Sequence, residues 1–177
     1  MYGDSFTADA GGMASASVSC DAAGNMTSDG RYAFVYDAWN RLAKVRILDA
    51  DADSGTDANV WIASLSYDAL GRRINKRIEN SADLDANYHY YYDGQRMIET
   101  RNGSGDVLTQ YLWGLTYVDE LCQVGHNATP SSDTTCESAF YALQNANFNV
   151  LALVGDDGDL VERYEYTPYG RRTVYRS

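Results

Sequence analysis

The chain is poor in prolines (two), histidines (two) and cysteines (three), and no apolar run approaches membrane length in its 177 residues. A bilayer span needs roughly 20 apolar residues, so no membrane insertion is expected. The opening stretch MYGDSFTADAGGMASASVSC has neither a basic region nor an apolar one, so it does not read as a signal peptide. The protein is then cytoplasmic, or its signal lies outside this chain. Basic residues are also scarce: 14 against 25 acidic ones, for a net charge of −11. Such a chain repels phosphate backbones and anionic lipid, so a nucleic-acid partner is not expected.

The cysteine pattern excludes more. No Cys-x-x-Cys pair is present, which removes the usual zinc site. An odd count argues against a full disulfide framework. Cys122 and Cys136 flank the polar stretch QVGHNATPSSDTT and are candidates for a disulfide across it in an oxidising compartment; the alternative is two inert thiols. His89 and His126 are the only histidines, no Gly-x-Ser-x-Gly elbow exists, and Cys122 has no evident histidine partner. No catalytic residue, cofactor or metal is assigned on these grounds.

What the chain does have is tyrosine, 15 against 4 phenylalanines. Tyrosine favours strands and keeps a wet hydroxyl on a buried ring, which suits a thin sheet better than a thick dry core. From about residue 21 the text reads strand, turn, strand. YAFVY passes through DAWN to RLAKVRIL, VWIASLSY through DALG to RRINKRI, NYHYYY through DGQ to RMIETR, and NVLALV through GDDG to DLVERYEY. Trp61, Ala63, Leu65 and Tyr67 alternate with Val60, Ile62, Ser64 and Ser66, and Val107, Thr109, Tyr111 and Trp113 repeat the pattern. Period two wins throughout, and the one helix-like window, SAFYALQNAN (138–147), is short and uncapped. The expectation is an all-β protein of consecutive antiparallel hairpins.

One unit recurs at the hairpin corners: YDAWNRL (36–42), YDALGRR (67–73) and YDGQRMI (92–98). Its residues are Tyr36, Asp37, Asn40 and Arg41, then Tyr67, Asp68, Gly71 and Arg72, then Tyr92, Asp93, Gly94 and Arg96. An Asp here accepts hydrogen bonds from backbone N–H groups farther along the turn. Gly, or Asn, tolerates the positive φ of the reversal. The Arg reaches a carboxylate or carbonyl next door, and the Tyr packs on the adjoining hairpin. A lone hairpin is marginal, so such units must pair edge to edge. The Asp-rich insertion DADADSGTDAN (49–59) interrupts the spacing. Asp49, Asp51, Asp53 and Asp57 invite calcium, but Ser54 and Val60 stand where an EF-hand loop wants Gly and Glu, so a solvated acidic loop is the plainer reading. Asp156, Asp157 and Asp159 around Gly158 read as turn residues.

These residues resemble the YD, or RHS, repeats. CDAAGNM joins the three corners above, and the segment from 88 to 172 resembles the RHS repeat-associated core. Its closing run YEYTPYGR (164–171) brings Tyr166, Pro168, Gly170 and Arg171 into the motif set. The resemblance implies β-hairpins wound into a curved, spiralling sheet that forms part of a hollow shell. In bacterial polymorphic toxins and insecticidal toxin complexes such a shell encloses a C-terminal toxin; in teneurins it mediates adhesion. The implied organisation is a poorly ordered lead-in (1–20), YD repeats (21–87) and a core-like region (88–177) with a polar insertion at 123–135.

Many bacterial members cut themselves at a D-P-x-G-x-x-G stretch after the core. No such stretch occurs here and Thr167 replaces the usual Asp, so autoproteolysis and toxin activity are not carried over. The expectation is a non-enzymatic scaffold segment. Its partners would be the rest of a larger shell, a toxin cargo, or other copies through open sheet edges. It would be secreted or displayed on a cell surface within that larger protein. Two alternatives stand beside it: an adhesion or carbohydrate-binding module using Trp39, Trp61 and Trp113, and a remnant of an autoproteolytic core.

Overall fold

In a computed structural model, residues 18–48, 60–130 and 136–176 are described. They form fourteen strands, all antiparallel, in an order that follows the chain without a crossover, plus one short 3-10 turn at Ala82–Leu84. The expected all-β architecture of consecutive hairpins is what the chain adopts. No helix among the described residues is long and apolar enough to cross a membrane.

The chain divides into two compact units, residues Met1–Asn87 and Tyr88–Ser177. The first holds β1 (Ser19–Cys20), β2 (Met26–Ser28), β3 (Tyr32–Tyr36), β4 (Leu42–Ile47), β5 (Trp61–Tyr67) and β6 (Arg73–Ile78). Registers such as Phe34↔Val45 and Leu65↔Lys76 place the alternating residues where period two puts them. The second holds β7 (Ala86–Asp93), β8 (Arg96–Arg101), β9 (Val107–Trp113), β10 (Leu121–His126), β11 (Ser138–Gln144), β12 (Val150–Gly155), β13 (Leu160–Tyr166) and β14 (Arg172–Arg176). The window 138–147 is strand then turn, since Phe140 pairs with Gly155 and Leu143 with Ala152.

Each unit is thin. Among the described apolar residues only Ile47 is buried in the first unit, and Val107, Ala152 and Tyr164 in the second. Side chains on a single sheet layer keep one side wet, which is why tyrosine outnumbers phenylalanine so heavily. Stability therefore rests more on ladder hydrogen bonds and side-chain ties than on a dry core.

Two expectations need correction. Ser19 and Cys20, placed in a disordered lead-in, form β1. Residues 123–126, placed in the polar insertion, belong to β10, where Gln123, Val124, Gly125 and His126 pair with both β9 and β11. LCQVGH has too few turn formers to leave the sheet before Asn127. The Asp-rich insertion (49–59) and residues 131–135 lie outside the described residues.

Candidate functional site

The Tyr-Asp corners share one backbone construction. In 37–41 the Asp37 N–H donates to the Arg41 carbonyl (2.9 Å) and the Asn40 N–H donates back to the Asp37 carbonyl (3.1 Å). The Asp37 carboxylate accepts from the Trp39 and Arg41 N–H groups, at 2.9 and 3.0 Å. Corner 68–72 repeats every bond, with Asp68 accepting from the Leu70 and Arg72 N–H groups at 2.9 Å. The fourth residue is left-handed: Asn40 at φ 60° and Gly71 at φ 81°. This is a three-residue hairpin loop closed by a bulge, and the register shift falls beside each Tyr, between Val35 and Tyr36 and between Ser66 and Tyr67.

The same construction recurs where no Tyr-Asp announces it. Corners at 21–25, 102–106, 145–149, 155–159 and 167–171 make the same pair of backbone bonds. Their fourth residues, Gly24, Gly105, Phe148, Gly158 and Gly170, all have positive φ. Asp21, Asn102 and Asn145 each accept two backbone N–H groups, whereas Thr167 Oγ1 accepts only that of Arg171. Motif reading missed 145–149, because Asn opens it and a bulky Phe is not expected in a left-handed slot.

YDGQR is not a third copy. β7 runs to Asp93 and β8 starts at Arg96, so Asp93 and Arg96 are the last ladder pair around a two-residue turn. Gly94 sits at φ 56° in its first central position, the requirement of a type II′ turn. One residue fewer leaves no room for an Asp-capped corner.

Side chains join corner to corner. Arg41 closes on its own Asp37 at 2.7 Å and passes Nη1 to the Asp68 carbonyl at 3.2 Å. Its guanidinium stands 4.7 Å from the Tyr67 ring and 5.1 Å from that of Trp39. The Tyr67 hydroxyl donates to the Leu42 carbonyl at 2.8 Å. Arg72 holds Asp68 with two nitrogens, each at 2.6 Å. In the second unit Arg96 donates to the Gly114 and Tyr117 carbonyls at 2.7 and 2.8 Å, which fixes the 114–120 loop. Glu120 accepts from the Thr116 N–H and hydroxyl in the same loop. The Tyr117 ring stacks on Phe148 with centroids 4.3 Å apart. The Tyr166 hydroxyl donates to the Val150 carbonyl at 2.8 Å, while Pro168 and Tyr169 form the exposed tip of the last corner.

The charges follow this wiring. Burial would raise the Asp37 and Asp68 carboxyls, but backbone N–H groups and the corner arginines outweigh it and hold both below the usual range. The Thr116 hydroxyl does the same for Glu120. Burial, then the Glu162 carboxylate bonded at 2.6 Å, pushes Tyr164 up to about 12.

The remaining candidates separate. Cys122 and Cys136 are both free thiols. The Cys136 sulfur packs on Gly125 and lies 3.6 Å from Gln110 Oε1. Gly125 is three strand positions from Cys122, about 10 Å along the chain, and of the two readings offered for this pair the structure holds separate thiols. Burial raises the Cys136 thiol. Asn127, the head of a glycosylation-like triplet, is buried; its amide donates to the Val107 carbonyl and accepts the Glu137 N–H. Trp61 packs under Lys44 and Arg46, and Trp113 donates to the Met97 carbonyl. Trp39 alone of the three is widely exposed, at 76 %, on the rim of a cleft of about 490 Å³ that it shares with Arg41, Tyr67 and Leu70. Asp157 accepts the Asp159 N–H within its own corner. No group of three potential metal ligands occurs among the described residues.

Against solved structures, the chain aligns with one from the Photorhabdus luminescens Tc holotoxin pore at a TM-score of 0.56 and 14 % identity, covering 86 % of this chain and 7 % of that one. A TcdB2-TccC3 chain without its hypervariable C-terminal region gives 0.54 and 14 %, over 82 % of this chain and 7 % of that one. The fold is shared with Tc toxin chains. Among curated proteins, the tRNA3(Ser)-specific nuclease WapA of Bacillus spizizenii and the tRNA nuclease WapA of Bacillus subtilis are each 26 % identical over 157 residues, 89 % of this chain. The chain spans 6 % of the length of either. No family model matches it. The nuclease names overturn the expectation of a non-enzymatic protein: a sequence with no legible catalytic constellation is similar to part of proteins that carry an enzymatic activity. They also set a nucleic acid among those relatives' substrates, where charge alone pointed away from one.

Proposed function

We propose that the chain is a segment of the hairpin shell of an RHS-type, toxin-related protein, and that it holds or presents an effector carried elsewhere in that protein. The observation that carries the reading is the corner ladder, in which Arg41 and Arg96 bind the backbone of the next connection. Such ties make a rigid wall out of a sheet with almost no dry core. The likeness to Tc toxin chains and to WapA supports it. The effector is read as an RNA-cleaving enzyme, after the relatives' names, and the larger protein as secreted or displayed on the cell surface.

The test is protease protection of the effector in the full-length protein. Loosening the wall with Asp37→Ala and Asp68→Ala together is expected to expose the effector to trypsin and to leave its tRNA cleavage unblocked. An effector equally accessible in the unaltered protein overturns the reading. The segment itself, incubated with tRNA, reports directly on whether any cleavage resides in it.

A further inference from the structure

In a chain of net charge −11, the four adjacent strands β3 to β6 contain no acidic residue. They hold five cations, Lys44, Arg46, Arg73, Lys76 and Arg77. Register brings three of these to one face. Val35 pairs with Lys44 and Ala33 with Arg46 in an unbroken ladder, so Lys44 and Arg46 point the same way from β4. Lys44 pairs with Ser64, and Ser64 with Arg77, which sets Arg77 on that face two strands away. Trp61 lies among them, its ring centroid 5.3 Å from Lys44 Nζ and 5.6 Å from the Arg46 guanidinium.

This pair of cations is unlike the others. Arg41, Arg72, Arg101, Arg163 and Arg176 each close on a carboxylate, and Arg77 closes on Glu79 at 2.6 Å. Lys44 and Arg46 have no carboxylate partner among the described residues. They stand two positions apart, about 7 Å along the strand, and repel each other. Lys44 is exposed and Trp61 is 41 % exposed, so the face is open to a partner. Arg46 Nε is buried with no hydrogen-bond partner. Native proteins leave few buried donors in that state.

We propose that this face of β4 to β6 docks an extended acidic segment of a partner protein. Alternate side chains of an extended segment point the same way and recur every ~7 Å, which is the spacing of Lys44 and Arg46. One carboxylate of the segment meets Lys44 beside the Ser64 hydroxyl. The next meets Arg46 side-on, the approach in which a guanidinium offers Nε and an Nη together. Trp61 gives the stems of those side chains an apolar floor. A nucleic acid is the poorer occupant. The Trp61 ring already carries both cations, so it offers bases no open platform, and the acidic chain repels a long polyanion more than a short peptide. The proposal goes beyond the shell-segment reading and does not depend on it.

The experiment is fluorescence anisotropy on the full chain, with a labelled octapeptide of alternating Glu and Thr as the probe. Binding is expected at low salt and is expected to be nearly lost at about 1 M salt. Lys44→Met and Arg46→Met keep an unbranched stem over Trp61 and remove the charge. Each is expected to weaken binding about threefold to fivefold, with Lys44→Arg restoring it. Arg163→Met removes an exposed cation from the other unit and is expected to change nothing. Circular dichroism of each variant confirms that it folds, and Lys44→Met, at an exposed position, stands as the test should Arg46→Met unfold. No binding of the peptide overturns the proposal, as does a loss just as large on Arg163→Met. Octauridylate bound as tightly as the peptide also overturns it, by showing a face for any polyanion. So does binding that appears only once residues 49–59 are replaced by a Gly-Ser linker, which would assign the face to the chain's own aspartates.

Discussion

Replacing Gly71 by alanine isolates the backbone cost of a corner. Gly71 sits at φ 81°, and the nearest atom to an added Cβ is Arg41 Nη1 at 3.8 Å, an ordinary contact. No clash and no lost hydrogen bond enters, so strain is the whole native-state effect. A non-glycine residue in the left-handed region costs about 1–2 kcal/mol. Losing glycine's freedom in the unfolded chain returns roughly 0.4–1 kcal/mol. The net expectation is a loss of about 1 kcal/mol, or roughly 2–4 °C in a chain of this size. Urea denaturation measures it, with an unchanged slope showing that the compactness of neither state has moved. Gly71→Asn is the control, because asparagine fills the same slot at position 40 with φ 60°; it is expected to cost less than alanine. Should Gly71→Ala leave the midpoint where it was, or asparagine prove as damaging as alanine, the corner is not built as described.

Other perturbations follow from the same geometry. Phe148 carries the strain of φ 59° and repays it by stacking on Tyr117; Phe148→Ala keeps the strain and loses the ring, so it is expected to melt below Phe148→Gly by an amount on the order of 1 kcal/mol. Asp21, Asp37, Asp68, Glu120, Glu137 and Glu162 all have lowered folded-state values, so the stability they confer is present above the ordinary carboxylate range and drains as pH falls through those lowered values. Acid titration followed by far-ultraviolet circular dichroism should therefore show the loss beginning near pH 4 and below. Tyr164 has the opposite sign: with its folded value at about 12, its contribution is intact below pH ~10 and is lost between there and 12. Thiol titration in denaturant is expected to count Cys20, Cys122 and Cys136 all reduced, and a reducing agent to leave the melting temperature alone.

Much of the fold is legible from the residues because its rules are local. Alternation marks the strands, and Asp with Gly or Asn marks the corners at 37–41 and 68–72. The same locality explains the misses. YDGQR and YDALGRR differ by one residue between Asp and the closing Arg, and loop length, not motif, decides the turn. Phe148 occupies a slot that intrinsic preference denies it, held there by a ring on another loop, and no local rule sees across from 148 to 117. Pairing Cys122 with Cys136 relied on nearness in the chain, whereas strand register sets three-dimensional distance and placed Cys136 on Gly125. The corner residues were legible as a motif, and Arg41 shows the tie from one corner to the next. The enzymatic relatives were invisible, because the residues carry no legible catalytic constellation.

In each unit the Tyr-Asp corners close the same end of the strands, while both long insertions, in the 48–60 and 127–137 connections, fall at the opposite end. The sheet thus has a tied margin and a free one. Length change on the tied margin breaks such contacts, two of them at corner 37–41; on the free margin it breaks none of them. The free margin is where a grafted epitope, a fluorophore sequence or a purification handle can be spliced without disturbing the corner ties, and the connection between β4 and β5 is the first place to put one.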